Sequence, residues 1–156
     1  MFRKILTVAV ALVPASALAA PAPVFLRAAI QGNYSEVTLG RMIQRQGSTQ
    51  EVRSFGSMLV GDHGKGLQQA QAIADRMHLR IPATLTPEAR SEQRRLQRLS
   101  GRGFDREVRR YMIGDHQKDI ALFRAQVRSG DRATAAYAAA TIPVMQHHLS
   151  MARSLR

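Results

Sequence analysis

Residues 104–123 read FDREVRRYMIGDHQKDIALF, and Phe104, Val108, Met112, His116, Asp119, Phe123 and then Val127 recur at three- and four-residue intervals. That period puts them on one face of a helix. Five of the seven are apolar and belong in a core. His116 and Asp119, one turn apart on the same face, do not. The fold and the candidate chemistry are both read from this stretch.

Three other long segments carry the same period. Over residues 24–46 the apolar positions are Leu26, Ala29, Ile30, Val37, Leu39 and Ile43, and Gly47 ends the run. Ser48 with Glu51 three residues on has the form of a capping box. From there Val52, Phe55, Leu59, His63, Leu67, Ala70, Ala74 and Met77 line one face to about residue 79. Ser129-Gly130 stops the helix that Phe104 begins, and Asp131 caps a last one. Tyr137, Thr141, Val144, His148, Met151 and Leu155 share its inner face, and Pro143 lies within it. Between the second and third long segments, Ile81-Pro82 and Thr86-Pro87 bound a loop. Thr86 then caps a short helix to about residue 99, and residues 100–103 (SGRG) break the chain before Phe104.

Two tight connections and one long one give two antiparallel hairpins joined by a crossover. The expected fold is all-α: an antiparallel four-helix bundle whose single crossover carries a short extra helix. Composition agrees. The 156 residues are 45% apolar and only 5% aromatic, without Trp, which disfavours a β-sandwich or barrel. No cysteine is present, so disulfides, thiolate metal sites and cysteine nucleophiles are excluded. No internal repeat or interdomain linker divides the chain.

The N-terminus, MFRKILTVAVALVPASALAAPAP, has a basic start at Arg3 and Lys4, an apolar run over residues 5–13 and the small-x-small pattern Ala17-Leu18-Ala19. It reads as a signal peptide of residues 1–19, followed by one domain over residues 20–156. The apolar run is too short to span a bilayer, which takes about 20 residues, and Pro14 interrupts it. Cleavage after Ala19 leaves 137 residues and, with Arg3 and Lys4 gone, lowers the net charge from +12 to +10. The expected location is outside the cytoplasm, in the periplasm or associated with the envelope.

Polar residues on the apolar stripes are the candidate site: Glu36, His63, His116, Asp119 and His148, at least one from each long helix. Glu36 stands 11 residues before Gly47 and His63 stands 16 after it; His116 and His148 stand 14 before and 18 after Gly130. Helical side chains lean toward their own N-terminus, so the members of each hairpin converge in height. The relative height of the two hairpins stays open. Two readings follow: a buried hydrogen-bonded network that fixes packing, or a bound divalent or copper ion. Asp62 and Asp115, each preceding a histidine, are solvated or support a ligand from behind. Met112, Met145 and Met151 lie near the histidines, where a thioether suits copper and equally fills a core. His147 flanks the inner face and His78 lies at a helix end. No phosphate loop or nucleophile elbow is present, and the glycines of residues 61–66 fall within a helical period, so no catalytic residue is assigned.

Arg90, Arg94, Arg95, Arg98, Arg102, Arg106, Arg109 and Arg110 concentrate positive charge. With an export signal, nucleic acid is not the expected partner. Anionic envelope components are, or the face is merely solvated.

The segments FLRAAIQGNYSEVTLGRM (25–42), VRSFGSMLVGDH (52–63), FDREVRRYMIGDHQKDIALF (104–123) and IPVMQHHL (142–149) resemble an exported bacterial family, domain of unknown function 4142, over roughly residues 24–154. Its members are often labelled outer membrane proteins. The resemblance implies a ferritin-like four-helix fold and export, and no established activity. Ferritin-like di-iron centres use a Glu from each of two helices and Glu-x-x-His from the other two. Here no Glu-x-x-His occurs, and His116-x-x-Asp119 has the reverse order. Three histidines and one Glu suit a single zinc or copper ion better. Two functions are therefore expected: a non-catalytic envelope binding or structural protein, or a metal-binding bundle capable of redox chemistry.

Overall fold

The structure, a computed structural model, describes residues 19–128 and 131–156. Residues 1–18 of the expected leader, and the Ser129-Gly130 stop, lie outside the described residues. The rest is all-α: α1 (Ala22–Gln46), α2 (Gln50–Arg76), α3 (Pro87–Leu96), α4 (Gly101–Val127) and α5 (Arg132–Ser154), with no strand among the described residues. No described helix is long and apolar enough to cross a membrane.

Two helix starts differ from the sequence reading. The cap of α2 is Thr49, whose hydroxyl accepts from Val52 N at 3.2 Å. Ser48 is drawn away because the buried Asp105 carboxylate accepts from both its backbone N–H, at 3.0 Å, and its hydroxyl. A tertiary bond thus displaces the local capping box and ties the α1–α2 turn to α4. Secondly, α4 starts at Gly101 rather than Phe104. Gly101 takes φ +53°, open to a residue without Cβ, so the chain reverses there and the break shrinks to residues 97–100. Thr86 caps α3 through Ala89 N and Asp131 caps α5 through Thr134 N, as expected. α5 runs unbroken through Pro143.

Residue pairs give the directions. Across α1 and α2, Gly40 meets Gly56 while Asn33 meets His63, so the two are antiparallel. Phe25 packs edge-on against Phe123 at 5.0 Å while Gly32 faces Asp119, so α1 and α4 are too. His116 faces His148 while Gln126 Nε2 donates to Thr134 Oγ1 at 2.8 Å, which does the same for α4 and α5. α2 touches α5, and α3 touches α1 and α4.

The core is two apolar clusters. One holds Leu39, Ile43, Phe55, Leu59, Leu96, Phe104, Met112 and Leu155. The other holds Phe25, Ile30, Ala70, Phe123, Tyr137 and Met145. On each long helix the candidate polar residues fall between these two sets. The polar groups therefore form a layer across the interior, with apolar packing on both sides.

Glu92 of α3 is buried against α4, beside Glu107, Arg95 and Arg110. Burial, then repulsion from Glu107, pushes its carboxyl up to about 7, against the pull of Arg110 and Arg95. The folded chain thus holds a proton that the unfolded chain releases above about pH 4.5, so stability falls as pH rises from there to about 7. Glu92→Gln is expected to raise the melting temperature at pH 8 relative to wild type, and to change it little at pH 5. An equal shift at both pH values would contradict this.

Candidate metal centre

Three of the five expected site residues meet. His63 from α2, His116 from α4 and His148 from α5 are all buried. His148 Nδ1 stands 3.3 Å from His116 Nε2 and 3.2 Å from His63 Nε2. The height left open by the sequence is thereby fixed: both hairpins bring their histidines to one level.

The outward nitrogen of each ring faces a fixed acceptor. His116 Nδ1 donates to the Met112 carbonyl, one turn back, at 3.0 Å. His148 Nε2 donates to the Asp62 carboxylate at 3.1 Å. His63 Nδ1 donates to Asn33 Oδ1 at 3.0 Å. The Asn33 amide is oriented by its own bonds, since Nδ2 donates to Ala29 O at 2.7 Å and to Tyr137 Oη at 3.0 Å, and Tyr137 donates on to Gly66 O. Gly66 is required here, because a Cβ would stand 2.6 Å from Asn33 Oδ1.

Each of these acceptors calls for a ring proton on the nitrogen that faces it. If each outward nitrogen carries the ring proton, then His63 Nε2, His116 Nε2 and His148 Nδ1 turn lone pairs toward one another. Extra protons are disfavoured. Burial, then the charges of the other two rings, holds His63 well below the usual histidine range. Burial, then His148, pushes His116 down to about 4, although the Met112 carbonyl works the other way. His148 is lowered by burial and partly restored by Asp62. The arrangement is three neutral nitrogen donors with acceptors behind them, which is how proteins orient imidazoles toward a metal.

Glu36 and Asp119 flank this triad: ligand atoms of Glu36, Asp115 and His116 lie within 4.8 Å of one another, and Asp119 lines the same small void as His63. The buried Glu36 carboxyl lies against Asp115 and raises its own proton affinity through burial first and Asp115 second. Asp119 is pushed up to about 7 by burial and by Asp115. It borders a void of about 10 Å³ shared with Gly32, Asn33, His63, Thr141 and Met145. The single five-residue site expected from the sequence is thus a nitrogen cluster with an acidic cluster beside it.

Asp62 stands behind a histidine as expected, but that histidine is His148 on another helix and not its own neighbour. Asp115 likewise reaches across to Glu36. The repeated Gly-Asp-His at residues 61–63 and 114–116 carries this signal: a residue one position before an inward histidine points to the flank, where the next helix lies. Asn33 gave no such signal. Of the methionines, Met145 borders the void beside His63, while Met112 and Met151 belong to the other apolar cluster. His78 and His147 are exposed.

No curated protein and no solved structure matches the chain. A family model does, over residues 9–155, nearly the whole chain, and its description is domain of unknown function. The histidine layer and the motifs that build it thus stand within a member of the DUF4142 family, to which this chain belongs.

Proposed function

We propose that this protein is an exported metal-binding protein whose domain, residues 20–156, is a ferritin-like four-helix bundle with one crossover carrying α3. His63, His116 and His148 hold one zinc or copper ion. The carrying observation is the convergence of three ring nitrogens, each on a ring whose other nitrogen faces an acceptor. Their spacing supports the reading. A tetrahedral ion with metal–nitrogen bonds of about 2.0–2.1 Å has ligands about 3.3 Å apart, and the observed separations are 3.2 and 3.3 Å. Three imidazoles favour zinc or copper over the harder ions that carboxylates select.

The void of about 10 Å³ beside His63 has room for about one water. A cleft of about 260 Å³, lined by Asp62, His63, Lys65, Gln69, Val144 and Met145, runs between α2 and α5 and offers a route to the site. These dimensions support holding or passing an ion more than processing an organic substrate. Zinc(II) titration of the metal-free full chain, followed by equilibrium dialysis, is expected to give one tightly held ion per chain. His63→Ala and His148→Ala should lose it. Equal retention by wild type and both variants would overturn the assignment.

A second reading concerns the surface. All eight arginines of residues 90–110 are exposed, and Ser91, Arg94, Arg95, Arg98 and Leu99 line a depression of about 470 Å³. Arg95 and Arg110 pair with Glu107, whereas Arg94 and Arg98, which line the depression, form no salt bridge among the described residues. This supports docking to anionic envelope lipid. Arg94→Glu with Arg98→Glu is expected to weaken binding to vesicles containing anionic lipid at least tenfold and to flatten its salt dependence. Unchanged binding in high salt would leave the face merely solvated.

A further inference from the structure

Glu36, Asp115 and Asp119 form an acidic cluster beside the histidine layer. Donor atoms of Glu36, Asp115 and His116 lie within 4.8 Å of one another. Glu36 is 2% exposed, and its Oε2 has no hydrogen-bond partner. Asp119 follows Asp115 by one turn and faces Gly32, where a Cβ would stand 3.7 Å from its Oδ2. Among the described residues, no Lys or Arg forms a salt bridge with any of the three carboxyls. Asp115 hydrogen-bonds Glu36 and Tyr111, and the neighbouring charges are Lys118 on α4 and Glu88 on α3.

A buried carboxylate without a donor is costly unless a proton or a cation meets it. Both nitrogens of His116 are engaged elsewhere, one with Met112 and one facing His148. Its ring therefore borders both clusters and is not free to ligate in both.

We propose that Glu36 and Asp115, with Asp119 beside them, form a second, oxygen-donor site for a hard divalent cation next to the three histidines. Carboxylates select such ions, with oxygen distances of about 2.0–2.6 Å. Ligand atoms on opposite sides of such an ion are about 4–5 Å apart, which the cluster's spacing accommodates. The site stands independently of the histidine reading, because its donors are different residues.

Manganese(II) is the probe. The full chain, loaded with one equivalent of zinc(II), is titrated with Mn(II) at pH 7.5 while the electron paramagnetic resonance of free Mn(II) is followed. One equivalent of Mn(II) is expected to disappear from the free signal. Glu36→Gln and Asp115→Asn should each weaken Mn(II) binding at least tenfold and leave zinc stoichiometry at one, with helical circular dichroism checking that each variant folds. His63→Ala should lose zinc and keep Mn(II). If zinc fails to bind wild type but Mn(II) binds, the histidine reading falls and this site stands. If wild type takes up no Mn(II), or binds it as tightly in both folded variants, the site is overturned and the carboxyls are a proton-sharing pair.

Discussion

Zinc(II) at saturating concentration is expected to raise the melting temperature of the full chain by roughly 10 °C. An ion that binds only the folded state stabilises it by about 4 kcal/mol at a thousand times its dissociation constant, and a chain of this size gains about 2–4 °C per kcal/mol. His63→Ala and His148→Ala should each remove the rise, since two imidazoles hold an ion far less well than three. Asp62→Asn should keep a smaller rise. It leaves His148 in place but replaces the carboxylate behind it, a change that typically costs 10- to 100-fold in affinity. Acid should erase the effect. The three histidines bind protons less readily in the folded chain than in the unfolded one. Their contribution to stability is therefore present above the unfolded value of about 6.5. It is lost as pH falls toward about 4, the level to which His116 is pushed down, and protons displace the ion over the same range. Differential scanning calorimetry across pH 4–8 reads both. Identical melting with and without zinc(II), copper and iron(II) would identify the histidines as a packing network.

The largest destabilisation is expected from Gly56→Ala, about 3 kcal/mol or outright failure to fold. A Cβ at Gly56 would stand 2.5 Å from Gln44 N and 2.7 Å from Gly40 O. Both are backbone atoms of α1, so no side chain can rotate away and the helices must part. Overpacking usually costs about 1–3 kcal/mol, and separating α1 from α2 also loosens Phe55, Leu59 and Ile43 in the apolar cluster they share. Gly61→Ala is the control. Nothing lies within 4 Å of its would-be Cβ, so the better helix former should add about 0.5–1 kcal/mol. Urea unfolding of both variants measures the difference. A mild effect at Gly56 would mean that the two helices do not approach so closely.

The contrast between these two glycines shows what sequence can carry. Both lie in the same helical period, and nothing local distinguishes the one that touches α1 from the one that faces solvent. The helices themselves were legible because their causes are local. Three- and four-residue spacing of apolar side chains, Thr86 before Pro87, and Asp131 before the last run act within one turn of the chain. Where a distant group competes, local reading fails, as at Ser48, which Asp105 takes from its capping role.

The site divides in the same way. His63, His116 and His148 were legible as polar residues on apolar stripes, because a helix fixes the direction of a side chain about its own axis. Their meeting at one level depends on how far one hairpin slides along the other. That is settled by the two apolar clusters packing on either side of the polar layer. The approach of Glu36 to Asp115 and His116, and the choice of Asn33 and Asp62 as acceptors, also rest on contacts between helices. Local spacing is enough for the helices and for the residues that face inward. Which of those residues touch follows from the packing of whole helix faces, which sets height and azimuth together, and no short stretch of chain contains that information.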